Sequence, residues 1–209
     1  MRDKNSRTAR DARAPLRALL SALSIGTLAV PPFIIISSGT STANPTWTAL
    51  RLAALLAFTL IFLNIVTGAF RPSLNRVFRA RALQRVHVAI GLTGFSLALA
   101  HGILAAIYGL AGFNPVVVAV GPAVLVLLAA TILTALTRHR LRRTWRWVHR
   151  LNYVIFAAVF IHALILGYDL RDSLLLRVFF VIYVILATAG LLYRIYLSLE
   201  KRRPRPSEA

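Results

Sequence analysis

Residues 82–110 read ALQRVHVAIGLTGFSLALAHGILAAIYGL, and residues 147–168 read WVHRLNYVIFAAVFIHALILGY. Each stretch exceeds the ~20 predominantly apolar residues that an α-helix needs to cross about 30 Å of hydrocarbon. Each also carries two histidines, His87 and His101 in the first and His149 and His162 in the second. Ionisable side chains at membrane depth are costly and mark functional positions. Two apolar helices, each with histidines at two depths, therefore decide both the fold and where its chemistry is to be sought.

Four more stretches qualify as spans, giving Leu16–Ile36, Trp47–Phe70, Ala82–Leu110, Pro115–Leu136, Trp147–Tyr168 and Leu174–Leu197. The expected fold is an all-α membrane protein, a six-helix transmembrane bundle. It occupies 16–197, between a basic segment at 1–15 and a basic tail at 198–209. Composition agrees: 58% of residues are apolar and 15% charged, against ~45–50% and ~25% in soluble domains. The net charge of +19 comes from 25 basic and 6 acidic residues, and 23 of the basic ones are Arg. They cluster between the apolar runs instead of covering a polar surface, so the expected partner is a lipid bilayer and not nucleic acid. Of the basic residues, 22 flank one set of span ends, and only Arg51, Arg171 and Arg177 lie on the other side. The positive-inside rule then puts both termini in the cytoplasm. The first span, with its basic start and the small residues Thr42-Ala43, also has features of a secretory signal. Its apolar run is longer than such a signal needs, so a retained anchor is expected, with Pro31 and Pro32 kinking or ending the helix.

Histidine spacing makes a geometric prediction. His87 and His101 are 14 residues apart, about 21 Å along a helix and within about 40° of the same face. His149 and His162 are 13 apart, about 20 Å. One span separates the two helices, so they run parallel. His87 is then level with His149 towards the cytoplasm, and His101 with His162 towards the outside. Thirteen residues fall about 140° short of four turns, so the fifth span needs a tightened stretch, an irregular first turn or strong tilt. The remaining His, His139, sits in a basic loop at headgroup level.

Facing imidazoles within an apolar bundle suit a haem iron held on both sides. The chain has no Cys, and its only Met is Met1. Covalent haem attachment, thiolate ligation and internal thioether ligation are excluded, leaving a non-covalent b-type haem with histidine ligands. Zinc would want further ligands. Arg81, Arg85, Arg146 and Arg150 flank the inner pair, either as positive-inside residues or as partners for haem propionates. Gly91, Gly94, Gly102 and Gly109 admit either a planar group or a neighbouring helix. Trp145, Trp147 and Tyr153 on one side, and Tyr108 and Tyr168 on the other, fit an interfacial belt or a cofactor lining.

With its histidines 14 and 13 residues apart on the third and fifth of six spans, the chain resembles the ferric reductase-like transmembrane domain. That superfamily includes ferric-chelate reductases, NADPH oxidases and the bacterial MsrQ (YedZ) proteins. The resemblance covers about residues 47–197. It implies an inner haem on His87 and His149, an outer one on His101 and His162, and residence in a bacterial plasma membrane. Gly91-Leu92, Phe95, His101, Leu141, Trp145, His149, Tyr153 and His162 are similar to the MsrQ pattern. His87 departs from that pattern, and Ala105 stands where it has an aromatic.

Two haems in series imply transmembrane electron transfer. No Gly-x-Gly-x-x-Gly motif follows a strand pattern, and the tail from Ser198 is twelve residues. The expected donor is therefore a separate cytoplasmic flavin reductase or a quinol. The outer acceptor is a ferric chelate, oxygen or a periplasmic protein. An MsrQ-like role would instead feed electrons to a periplasmic methionine sulfoxide reductase. A proton or metal transporter using a His relay, or a scaffold with incidental histidines, are the readings from other classes.

Overall fold

The computed structural model describes residues 13–38, 44–108, 114–142 and 144–201. Basic residues before position 13 and after 201, the Thr42-Ala43 signal site and Gly109 lie outside them. Among the described residues every regular element is a helix. In chain order these are α1 (Ala14–Ser37), α2 (Pro45–Ala69), α3 (Arg71–Leu74), α4 (Ala80–Tyr108), α5 (Pro115–Leu136), α6 (Arg138–Leu141), α7 (Thr144–Arg150), α8 (Asn152–Leu166), α9 (Tyr168–Asp172) and α10 (Leu174–Glu200). Six spans are long and apolar enough to cross a membrane: α1, α2, α4, α5, the α7–α8 pair and α10. The protein is a multi-pass membrane protein by that criterion.

The span starts are marked by local chemistry. α2 and α5 each begin with proline at the first turn, behind Asn44 and Asn114, whose side chains accept from the backbone N–H of Trp47 and Val116. Ser173 caps α10 by accepting from Leu176. These side chains satisfy N–H groups that no helix carbonyl reaches, and proline has no N–H to leave exposed. Pro31 and Pro32 do not end the first span, which continues as helix to Ser37.

α2 is the central post. Its most apolar window is 61% buried, and no other span exceeds 28%. Phe58 of α2 stacks on Phe156 of α8 and Phe180 of α10 at ring-centroid distances of 4.9 and 4.4 Å. Phe62 stacks on Tyr183 at 4.1 Å. Around them Ile34, Ile35, Ile155, Leu170 and Leu176 complete the core. Gly94 lets α4 close on α2, where an added Cβ would come 3.2 Å from Leu60. Gly91 lies under the Asn64 side chain, and Gly102 faces Leu125 of α5. In these positions the glycines of α4 serve helix approach.

The termini of the described chain share one end of the bundle with the arginine-rich loops. Arg13 and Arg17 of the first span donate to the carbonyls of Arg76 and Val77 at 2.7 and 2.9 Å. Ser73 and Tyr193 join the loop after α2 to the last turns of α10 at 3.1 Å. At the far end, Asn44 bonds the Tyr108 hydroxyl, and Trp47 packs on the Tyr108 ring at 5.5 Å.

Candidate functional site

His87 lies two turns into α4, at the arginine-rich end, and His149 lies in the short helix α7. Their ring centroids are 6.1 Å apart, and the ring planes are inclined by 65°. His101 and His162 sit deeper along the same two spans. The four rings are all half-buried.

The awkward spacing of 13 has a local solution. The fifth span is two helices with a break at Leu151. There the Leu151 N–H reaches the Val148 carbonyl at 3.0 Å, a tightened i to i−3 bond. Such a turn winds faster than an α-helix, in the direction needed to turn His149 and His162 toward one side.

Each ring is held at the same nitrogen. His87 Nδ1 lies 3.2 Å from the Thr67 hydroxyl of α2. His101 Nδ1 lies 3.3 Å from the Leu50 carbonyl, also of α2. His162 Nδ1 lies 3.2 Å from the Val117 carbonyl of α5. His149 Nδ1 lies 3.3 Å from the Asn152 side-chain amide, which Thr131 of α5 bonds in turn at 3.2 Å. α2 thus supports both histidines of α4, and α5 supports those of the fifth span. Glycines of the same two helices reach the rings. A Cβ on Gly68 would come 3.3 Å from His87 Cε1, and one on Gly121 would come 3.5 Å from His162 Cε1. Asn64 completes the His87 cradle by donating to its carbonyl oxygen at 2.8 Å.

This donor set fits a porphyrin iron. Two imidazoles bound through Nε2 to opposite faces of one metal have centroids about 6 Å apart, from a metal–nitrogen bond of ~2.0 Å and a ring radius of ~1.1 Å. A ligating imidazole is oriented by a hydrogen bond at its other nitrogen, and all four rings have that bond at Nδ1. Among the described residues no group of three or more His, Cys, Asp or Glu is placed to hold a metal ion.

Other residues singled out in the sequence fall away from the rings or support them differently. Arg85 and Arg150 are exposed, and the Arg150 guanidinium lies 4.5 Å from the Trp147 ring centroid. Trp145 packs on His149 at 5.8 Å. Tyr153 joins the apolar core. Tyr168 stands at the far end, 5.9 Å from the Arg51 guanidinium.

Sequence reasoning missed two features. Thr67, Asn152 and Thr131 are the ring-holding side chains, and their signal was polar residues inside otherwise apolar spans. The second is a buried ion pair. Arg51, counted only as a far-side charge, is 4% exposed in α2 and donates through Nε to both oxygens of Asp169 at 3.0 Å. Asp169 belongs to α9, which Gly167 separates from α8.

No protein-family model, curated protein or solved structure matches the chain.

Proposed function

We propose that the protein is a transmembrane electron conduit that binds two b-type haems, one between His87 and His149 and one between His101 and His162. The observation that carries this reading is the 6.1 Å apposition of His87 and His149, with Nδ1 of every ring engaged. Bound there, a haem supplies a one-electron iron couple. His87 and His149 would hold one haem and His101 and His162 the other, and the chain's own contribution is to supply these ligands and to surround the rings with apolar helices. Electrons enter at the arginine-rich, cytoplasmic end from a separate flavin reductase or a quinol. They leave at the far end to a ferric chelate, oxygen or a periplasmic protein. The setting is a bacterial inner membrane with both termini inside. A basic entry face suits an acidic or phosphate-bearing donor.

The test is a reduced-minus-oxidised spectrum and a haem-to-protein ratio on the purified full-length chain, expressed with ample haem. Two b-type haems per chain are expected. His101→Ala and His162→Ala should each remove the same one, and His87→Ala and His149→Ala the other. A chain that binds no haem under these conditions overturns the proposal.

A further inference from the structure

The turn between α6 and α7 gathers positive charge around open space. Residues 138–150 contain six arginines, and no Asp or Glu stands between Asp11 and Asp169 in the sequence. Arg140, Leu141, Arg142 and Thr144 line a cleft of about 620 Å³. Among the described residues neither Arg140 nor Arg142 has a carboxylate partner, and the pair of Arg51 and Asp169 lies at the opposite end of the bundle. Like charges gathered without a counter-charge repel one another, and an anion seated between them relieves that repulsion.

The backbone at the cleft is unusual as well. Arg142 has a φ of 45°, the only positive value at a non-glycine residue among the described ones. A residue with a Cβ enters that half of the map at a cost. The cost is borne where the chain passes from α6 to α7, and the turn brings Arg140 and Arg142 to one opening with Thr144 beside them.

Depth identifies the ligand. Thr137 closes α5 at this end, and the loop follows directly. Trp147, 68% exposed, carries the Arg150 guanidinium 4.5 Å from its ring centroid. An exposed tryptophan beneath an arginine, at the start of an apolar span, belongs at the level of lipid headgroups. The anion within reach at that level is a lipid phosphate. Guanidinium groups take phosphate oxygens by paired hydrogen bonds, a hydroxyl such as that of Thr144 can donate to a further one, and Leu141 offers an apolar wall to the lipid stem.

We propose that the cleft between α6 and α7 is a discrete phosphate site, filled by the headgroup of an anionic phospholipid. It differs from the diffuse attraction of a basic face for an anionic leaflet, which depends on total charge and not on which arginines carry it. The site rests on the membrane reading alone and holds with or without haem.

The experiment uses the full-length chain purified in a neutral detergent, with native mass spectrometry counting the phospholipids that stay bound. Phosphatidylglycerol and the zwitterionic phosphatidylcholine are offered at equal concentration, each with and without inorganic phosphate. One phosphatidylglycerol per chain should be retained in preference to phosphatidylcholine. Arg140→Gln/Arg142→Gln should weaken that retention by roughly tenfold or more, through the loss of charge-assisted hydrogen bonds. Arg138→Gln/Arg146→Gln removes the same charge from outside the lining and should leave retention nearly unchanged. Arg140→Lys/Arg142→Lys keeps the charge, and should still weaken retention because an ammonium cannot grip two oxygens in a fixed fork. That variant keeps the test sharp if the glutamine pair does not fold. Equal weakening by the two glutamine pairs, full retention in the lysine pair, or no preference for phosphatidylglycerol overturns the proposal. Inorganic phosphate at the same concentration should not displace the lipid, since it lacks the stem that Leu141 meets. Displacement would assign the cleft to a soluble phosphate and overturn the lipid as its occupant. If the lipid is retained as stated and the chain takes up no haem, the inference stands and the conduit proposal falls.

Discussion

At the residue scale, the site depends on atoms that hydropathy does not register. Nothing in the sequence neighbourhood of Thr67 says that it touches a histidine, whereas Asn152 stands three residues after His149, a spacing that puts the two side by side. Gly68 and Gly121 are as silent as Thr67, yet their helices meet His87 and His162 through them. The two glycines give a graded prediction. A Cβ at Gly68 would lie 3.3 Å from the His87 ring, tighter than ordinary contact, and one at Gly121 would lie 3.5 Å from the His162 ring, within ordinary contact. Gly68→Ala should therefore displace the His87 ring and lower haem retention at that pair, whereas Gly121→Ala should leave the haem-to-protein ratio unchanged. Spectra of the two purified variants check this, and equal losses would refute the distinction. Asp169 supplies a second residue-scale prediction. It is 7% exposed and Arg51 4%. Removing one member of a buried ion pair costs on the order of 3–5 kcal/mol, because the other keeps its desolvation without its counter-charge. Asp169→Asn should lower the thermal midpoint in detergent clearly, and Arg51→Met/Asp169→Leu should recover much of the loss. An Asp169→Asn midpoint equal to the native one would show that the pair carries no such weight.

At the scale of elements, the six spans were legible because length and apolarity alone define them, and the expected boundaries fall within three residues of the observed ones. Continuity inside a span was less legible. The fifth span is two helices, α7 and α8, and the break at Leu151 is signalled only indirectly, by a histidine spacing that a regular helix cannot satisfy. Helix α9 was hidden for another reason. Its carboxylate pairs with a residue 118 positions earlier in the chain, and local pattern has no access to contacts of that range. The pairing of helices adds an order that the sequence did not display. α2 supports the histidines of α4, and α5 supports those of α7 and α8. The Leu151 break makes a sharp prediction. One alanine inserted between Leu151 and Asn152 rotates everything after it by about 100° relative to everything before it. His149 and His162 can then no longer both face α4, and one haem should be lost while the chain still folds and inserts. Retention of both haems would mean that the junction is soft enough to absorb a residue, and that the break does not set the register.

At the scale of the molecule, charge and fold make one coherent statement. The 22 basic residues that flank one set of span ends include Arg13 and Arg17, which also clamp the loop between α2 and α4 through the carbonyls of Arg76 and Val77. The same arginines that would hold this end at an anionic leaflet thus help to close the bundle beneath His87 and His149. Orientation is then inseparable from the direction of electron flow, because the pair nearest the arginines is the proposed point of entry. A chain without cysteine allows this to be measured with single introduced thiols. His139 and Arg171 are both exposed, one in the arginine-rich loop and the other in α9 at the opposite end. On intact cells a membrane-impermeant maleimide should label Arg171→Cys, and should label His139→Cys only after the membrane is opened. The reverse pattern would place His101 and His162 on the cytoplasmic side. The two sites would keep their geometry, but the donor would then have to meet a face that carries only three basic residues, and the charge argument for an acidic or phosphate-bearing donor would fail with it.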